Sequence, residues 1–306
     1  MSKIKIFGHK NPDTDTIMSS IALSNLENAL NENSTEAYRL GELNKETKYA
    51  LKYFNVEEPK LLEEIEEGQE VMLVDHNEFS QSVTGIDKAK ILRVVDHHKI
   101  SDFKTSEPLY YTAMPVGCTA TILSEMYKSN NIEINSTIAG LMLSAIISDT
   151  LLLKSPTCTQ KDIDTANELA KIANVDINKY GIDMLKAGTD LSDFTSKELI
   201  NIDSKPFNTN GVKYQVAQVN TVSIDDVLKN KSSIEEEMQN FMKENDEQLF
   251  LLLITDILEN NSQIIALGKQ DVVEKAFNVK LENNMAFLPG VVSRKKQVVP
   301  VLEKNM

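Results

Sequence analysis

The sequence predicts an α/β protein: an N-terminal parallel-sheet domain covered by helices, joined by a hinge to a smaller mixed-sheet α/β domain. Three observations predict it. Short apolar runs alternate with stretches of helical periodicity through the first part of the chain, the pattern of a parallel sheet with helices on its faces. That pattern breaks in the turn-rich "LKAGTDLSDFT" (185–195), where Gly188 is followed by Thr, Asp and Ser. Strand-like runs then resume with helices among them. The boundaries expected are 1–187 for the first domain, 188–195 for the linker and 196–306 for the second. At 306 residues the chain is long enough for two cores.

The elements follow in order. "KIKIF" (3–7) is a buried strand through Ile4, Ile6 and Phe7. "DTIMSSIALSNLENAL" (15–30) has apolar residues at helical spacing, with Asp and Thr suited to its N-terminus. "EVMLVDHNE" (70–78) and "ILRVVDHHK" (91–99) are apolar runs that end in polar residues. Between them "FSQSVTGIDKAK" is a loop or short helix, and "PLYYTAM" (108–114) is a further strand. Helices are expected in "CTATILSEMYKSN", "NSTIAGLMLSAIISDT" and "TQKDIDTANELAKIANV". The most apolar stretch, "IAGLMLSAIISDTLLL" (138–153), reads as a buried helix: it is short for a bilayer and carries Asp149. In the second domain the strands are "GVKYQVAQVNT", "EQLFLLLITDI" and "SQIIALG". An acidic helix "SIEEEMQNFMKEND" and a shorter one, "QDVVEKAFN", lie among them.

Composition narrows the function. A formal charge of −14 argues against a nucleic-acid partner, which needs a basic surface, but allows a small anion held by a local cluster of cations. The two cysteines, Cys118 and Cys158, have no paired spacing and fit a reducing cytosol. No secretory signal precedes the first strand and no membrane partner is expected, so a cytoplasmic location is.

Three strand-like runs finish alike: "IFGHKNPDTD", "MLVDHNE" and "RVVDHHK". In one parallel sheet these endings converge on one edge, where α/β folds bind ligands. Asp149, closing an otherwise apolar helix, is a further candidate, because a buried carboxylate needs partners. Carboxylates and imidazoles without cysteine suit Mn²⁺, Co²⁺, Fe²⁺ or Mg²⁺ with positions open to water. So many carboxylates together require neutralisation. Two divalent ions ~3.5–4 Å apart provide it and clamp a phosphoryl group. Near the C-terminus, "PGVVSRKKQVVP" (289–300) sets three cations in a row in an acidic chain, a combination suited to an oxygen-rich anion. The chemistry expected is two-metal hydrolysis of a phosphate ester or anhydride.

In order and spacing, "GHKNPDTDT", "VDHNE", "VDHHK", "SDT" and "SRKKQ" resemble the family II inorganic pyrophosphatases of the DHH phosphoesterase superfamily, over essentially the whole chain. The triplet Asp96-His97-His98 is shared across the superfamily; "NPDTD" together with "SRKKQ" marks the pyrophosphatases. The resemblance implies one metal held by His9, Asp13 and Asp75, and a second by Asp15, Asp75, His97 and Asp149, with Asp75 bridging. It implies two Mn²⁺ or Co²⁺ ions per subunit, with Mg²⁺ arriving with pyrophosphate. His98, Lys205, Arg294 and Lys295 form the implied substrate-binding set, in a cleft between the domains that closes at the hinge. Asp96 is expected to orient a neighbour. A homodimer through the first domain is also implied. Thr16 departs from the family's more usual serine but keeps the hydroxyl, and a CBS-domain insert has no room here. An alternative is a DHH phosphoesterase acting on short or cyclic oligonucleotides, but its glycine-rich "GGGH"-type motif is absent. A metal-dependent phosphate sensor without catalysis is a further alternative, although every expected position is occupied.

Overall fold

A computed structural model describes residues 3–31, 34–101 and 103–306. The chain divides into two compact units, one ending at Gly188 and the other starting at Thr189.

The first unit contains β1 (Ile4–Phe7), α1 (Thr14–Leu30), β2 (Thr35–Arg39), α2 (Lys45–Tyr53), β3 (Lys60–Leu61), β4 (Glu70–Val74), β5 (Lys90–Asp96) and β6 (Tyr110–Ala113). Four helices follow: α3 (Thr119–Ser129), α4 (Ser136–Asp149), α5 (Gln160–Ala173) and α6 (Ile177–Gly188). The six strands form one all-parallel sheet in the order β3-β2-β1-β4-β5-β6. β4 is apolar on successive residues, Val71 to Val74, because both of its faces are covered. α1 packs against β2, α3 and α4, and this enclosure buries even its small polar residues Ser19 and Ser20. Between β4 and β5 the chain makes two short 3-10 turns, Phe79–Gln81 and Ile86–Lys88.

One expectation fails at its end. The buried helix over 138–153 stops at Asp149, and Leu151, Leu152 and Leu153 take left-handed backbone angles (φ 47°, 56° and 64°). The Thr150 hydroxyl bonds the Ile146 carbonyl and accepts from the Leu153 N–H, which closes the helix without glycine or proline.

The second unit contains α7 (Ser196–Leu199), β7 (Ser204–Thr209), β8 (Val212–Thr221), α8 (Ile224–Leu228), α9 (Lys231–Asn245), β9 (Leu249–Asp256), β10 (Asn261–Gly268), α10 (Gln270–Phe277), β11 (Met285–Pro289) and α11 (Val299–Glu303). Its sheet runs β11-β10-β9-β8-β7, with β8–β9 parallel and the other pairs antiparallel. Alternation along β9 divides the core. Leu249, Leu251 and Leu253 pack with Val272, Val273 and Leu302, while Phe250, Leu252 and Ile254 pack with Ile234 and Met238 of α9. No helix among the described residues is long and apolar enough to cross a membrane.

Candidate metal centre

Strand order reverses between β1 and β4, the point at which such sheets open a crevice beyond their carboxyl ends. The polar endings read from the sequence fall on three adjacent strands there. His9 lies two residues past β1, Asp75 follows β4 directly, and His97 and His98 follow β5. Asp13 caps α1 by accepting the Thr16 N–H at 2.9 Å, and Asp15 occupies the first turn of that helix. Asp149 is the last residue of α4.

Their ligand atoms form overlapping groups. His9, Asp13 and Asp75 make one; Asp15, Asp75, His97 and Asp149 make another; Asp75, His97 and His98 make a third. Asp75 belongs to all three, and its oxygens divide the work. Oδ2 lies 3.4 Å from His9 Nε2 and accepts from the Thr16 hydroxyl at 2.7 Å. Oδ1 lies 3.4 Å from His97 Nε2 and accepts from the Thr119 hydroxyl at 3.1 Å. His9 Nε2 is also 3.3 Å from Asp13 Oδ2, and His97 Nε2 is 3.7 Å from Asp149 Oδ2. Asp75 itself sits in a left-handed backbone conformation (φ 58°), which aspartate tolerates better than most residues but which still costs about 1–2 kcal/mol.

The donor set fits divalent cations. His9 Nδ1 pairs with the Lys10 carbonyl at 2.7 Å and His97 Nδ1 with the Val116 carbonyl at 3.0 Å. A carbonyl only accepts, so each Nδ1 carries the hydrogen. The Nε2 of a neutral ring is then a lone pair facing carboxylate lone pairs. That arrangement repels unless a positive charge lies between them. Two donor atoms of one ion at about 2.1 Å sit about 3.0–3.5 Å apart, as His9 Nε2 does from Asp13 and Asp75 and His97 Nε2 does from Asp75.

Without metal, protons supply the charge. Burial disfavours protonated His9, but Asp13 and Asp75 outweigh it and push its pKa up to about 11. His97 rises to about 9 because Asp75 and Asp15 outweigh the same burial. Burial and the Asp75 charge raise Asp15 to about 6. Burial pushes Asp149 well above the carboxylate range, with Asp15 and Asp75 adding to it. Asp75 goes the other way: burial opposes its charge, but the two imidazoles hold it below its ordinary value.

His98 is half exposed and tied to Asp96, whose Oδ1 accepts from His98 Nδ1 at 2.9 Å and from its backbone N–H at 3.1 Å. The Asn77 amide donates to Asp96 Oδ2 at 2.6 Å. Asp96 is fully buried and holds a neighbouring ring, the orienting place expected of it.

In the second unit the Arg294 guanidinium is buried. It donates to the Asp203 carboxylate at 2.7 Å and to the Asp203 carbonyl. Asp203 lies two residues before Lys205, so this pairing draws the "SRKKQ" segment to the start of β7. Lys205 and Lys295 are exposed. Arg294 begins a π-helical turn, Arg294–Val298, whose first residues are capped by Ser293.

Several contributors were not singled out from sequence. Thr119 donates through its backbone N–H to Asp15 and through its hydroxyl to Asp75. Glu46 on α2 accepts from Thr14 and Ser148, the neighbours of Asp13, Asp15 and Asp149. Asp162 clamps the turn before α3. None carries a local signal: each is a common helix-terminal or surface-type residue whose partners lie far off in sequence.

Comparison with known proteins places this geometry. Residues 3–146 match the family model for the DHH family, N-terminal domain, and residues 182–305 match that of the DHHA2 domain. The fold and site thus define a two-domain DHH–DHHA2 protein. A manganese-dependent inorganic pyrophosphatase of Bacillus subtilis is 58% identical over 308 residues, covering 100% of this chain and 99% of that protein. A probable one of Bacillus velezensis is 59% identical over 304 residues, covering 99% and 98%. The chain belongs to the family of manganese-dependent inorganic pyrophosphatases. Among solved structures, a putative family II inorganic pyrophosphatase from Methanococcus jannaschii is 40% identical, covers 99% of both chains and has a TM-score of 0.63. An exopolyphosphatase-related protein from Bacteroides fragilis, at 13% identity, covering 99% of this chain and 91% of that one with a TM-score of 0.51, shares the fold.

Proposed function

We propose that this chain hydrolyses inorganic pyrophosphate to two phosphates with two divalent cations, Mn²⁺ or Co²⁺, and with Mg²⁺ accompanying the substrate. One observation carries the reading: two acid–imidazole groups share Asp75, one through each of its oxygens. His9, Asp13 and Asp75 hold the first cation; Asp15, Asp75, His97 and Asp149 hold the second. When bound, the pair supplies charge neutralisation and a hydroxide available near neutral pH. Lys205, Arg294 and Lys295 neutralise the phosphates from the second domain, with the substrate in the cleft between domains. Asp203 holds the Arg294 fork in place. With its Nδ1 hydrogen committed to Asp96, His98 offers its other ring nitrogen as the atom that passes a proton to the departing phosphate. The Asp96 hydrogen bond raises the pKa of that ring, which keeps the proton available. On family grounds the enzyme is a homodimer, and its two unpaired cysteines suit the reducing cytoplasm.

The test is phosphate release from pyrophosphate with Mn²⁺, with Mg²⁺ alone and with chelator, and a dinucleotide as the rival substrate. Release from pyrophosphate that requires Mn²⁺ or Co²⁺ is expected. Cleavage of the dinucleotide alone, or no turnover with manganese, overturns the reading.

A further inference from the structure

Asp162, the third residue of α5, is fully buried, and its carboxylate takes four hydrogen bonds. Oδ2 accepts from the Gly117 N–H at 2.8 Å, the Thr159 N–H at 2.7 Å and the Thr159 hydroxyl at 2.6 Å; Oδ1 accepts from the Thr121 hydroxyl at 2.6 Å. Two of these serve the cap of α5 itself. The other two reach across to residues 117 and 121, at the start of α3. The approach is close: a Cβ on residue 117 would lie 2.9 Å from Asp162 Oδ2 and would have to displace that carboxylate.

The clamped segment grips one metal group. The Val116 carbonyl fixes His97 Nδ1. The N–H groups of Thr119 and Ala120 donate to Asp15 Oδ2 and Oδ1, at 2.7 and 3.3 Å. The Thr119 hydroxyl donates to Asp75 Oδ1, the oxygen on the His97 side. Three of the four residues of that group are therefore held from residues 116–120. Among the described residues, none of these bonds reaches His9 or Asp13. The opposite oxygen of Asp75 is served by Thr16 of α1.

We propose that Asp162 is a positioning residue for the Asp15–Asp75–His97–Asp149 group, acting through the 116–121 segment and Thr119, and that it sets the hold of this group on its cation far more than that of the His9 group, which it reaches only through the shared Asp75. The inference rests on the two-cation reading above. Buried partners that orient ligands typically change metal affinity 10–100-fold when lost.

The test is Mn²⁺ titration of the metal-stripped full chain by calorimetry, with free Mn²⁺ followed by electron paramagnetic resonance. His9→Gln and His97→Gln identify which binding step belongs to which group. In Asp162→Asn and Thr119→Val, the step lost in His97→Gln should weaken about 10–100-fold, while the step lost in His9→Gln stays within about threefold. Thr119→Ser, which keeps the hydroxyl, should restore it. Equal weakening of both steps, or no change in either, overturns the proposal. If Asp162→Asn does not fold, Thr121→Val, which removes the bond between the Thr121 hydroxyl and Asp162 Oδ1 while leaving the α5 cap intact, decides the matter on the same criteria. A wild-type chain that binds fewer than two ions removes the underlying reading instead, so the two failures are distinct.

Discussion

Metal loading should expel protons from the first domain, in a number set by its two inward-facing imidazoles. With no cation bound, the proton on His9 Nε2 is held with a pKa of about 11 and that on His97 with about 9, because neighbouring carboxylates outweigh the penalty of burial. A cation takes the same lone pairs, so both protons leave. Loading two ions at about pH 7.5 therefore releases about two protons per chain from these rings, and more if Asp149 is still protonated. The sign follows. Lower pH favours the protonated sites and weakens binding, so the combined affinity should rise about 100-fold per pH unit up to about pH 9. Above that His97 is already neutral, and the gain falls to about tenfold per unit. Near pH 6, Asp15 adds a further proton to the balance in the same direction. Calorimetric titration of Mn²⁺ in buffers of different ionisation heat counts the protons directly. Release of fewer than about one proton near pH 7.5, or an affinity flat across that range, would refute the assignment of the imidazoles.

Three other substitutions test separate parts. His98→Gln removes the transferable proton but no member of the two main groups, so turnover should fall by about 10²–10⁴ while the Mn²⁺ titration is unchanged; equal loss of metal affinity would make His98 a ligand instead. Arg294→Lys replaces a fork that spans the Asp203 carbonyl and carboxylate with one point charge. It should raise KM for pyrophosphate, and the urea midpoint should drop by the equivalent of about 1.5–3 kcal/mol; an unchanged KM would place Arg294 outside substrate binding. Gly140→Ala sets a Cβ 2.1 Å from the Phe54 ring, and overpacking of about 1–3 kcal/mol should outweigh the helix-propensity gain of about 1 kcal/mol, so urea unfolding should show net loss; a gain would mean that Phe54 has room to move.

Much of the architecture was legible because burial on both faces leaves an unbroken mark. Val71–Val74 in β4 and Leu249–Ile254 in β9 are continuous apolar runs, and they read as strands without help. β2, "TEAYR", is half exposed along most of its length and mixes charge with aromatics, so it gave no period. β3 is two exposed residues, and β7 and β11 sit at the edges of their sheet. The end of α4 was hidden for another reason. Three left-handed leucines cost about 1–2 kcal/mol each, so no local preference places them; packing and the Thr150 hydroxyl hold them against propensity. At the site, the acids and imidazoles stood out because polar residues at the end of a buried strand have no packing role. Their partition into two groups did not stand out, because it depends on which oxygen of Asp75 faces which ring. The resemblance supplied that partition, while the threonines and Asp162 had no motif to mark them.

Charge explains why these features belong together. The chain carries −14 overall, and Asp13, Asp15, Asp75 and Asp149 place four more-or-less adjacent carboxylates at the sheet edge. An anion such as pyrophosphate would be repelled from that edge. With both rings neutral, one divalent ion leaves the four carboxylates negative; two bring them to balance. On the proposed function, only then would the exposed Lys205 and Lys295, with Arg294, give an anion a net attraction. On the proposed reading, metal dependence and substrate recognition are thus one electrostatic requirement. The sharing of a single buried aspartate lets two cations approach without adding a fifth carboxylate that would restore the repulsion. The Thr16 and Thr119 hydroxyls, one on each of its oxygens, hold Asp75 in the orientation that this proposed sharing requires.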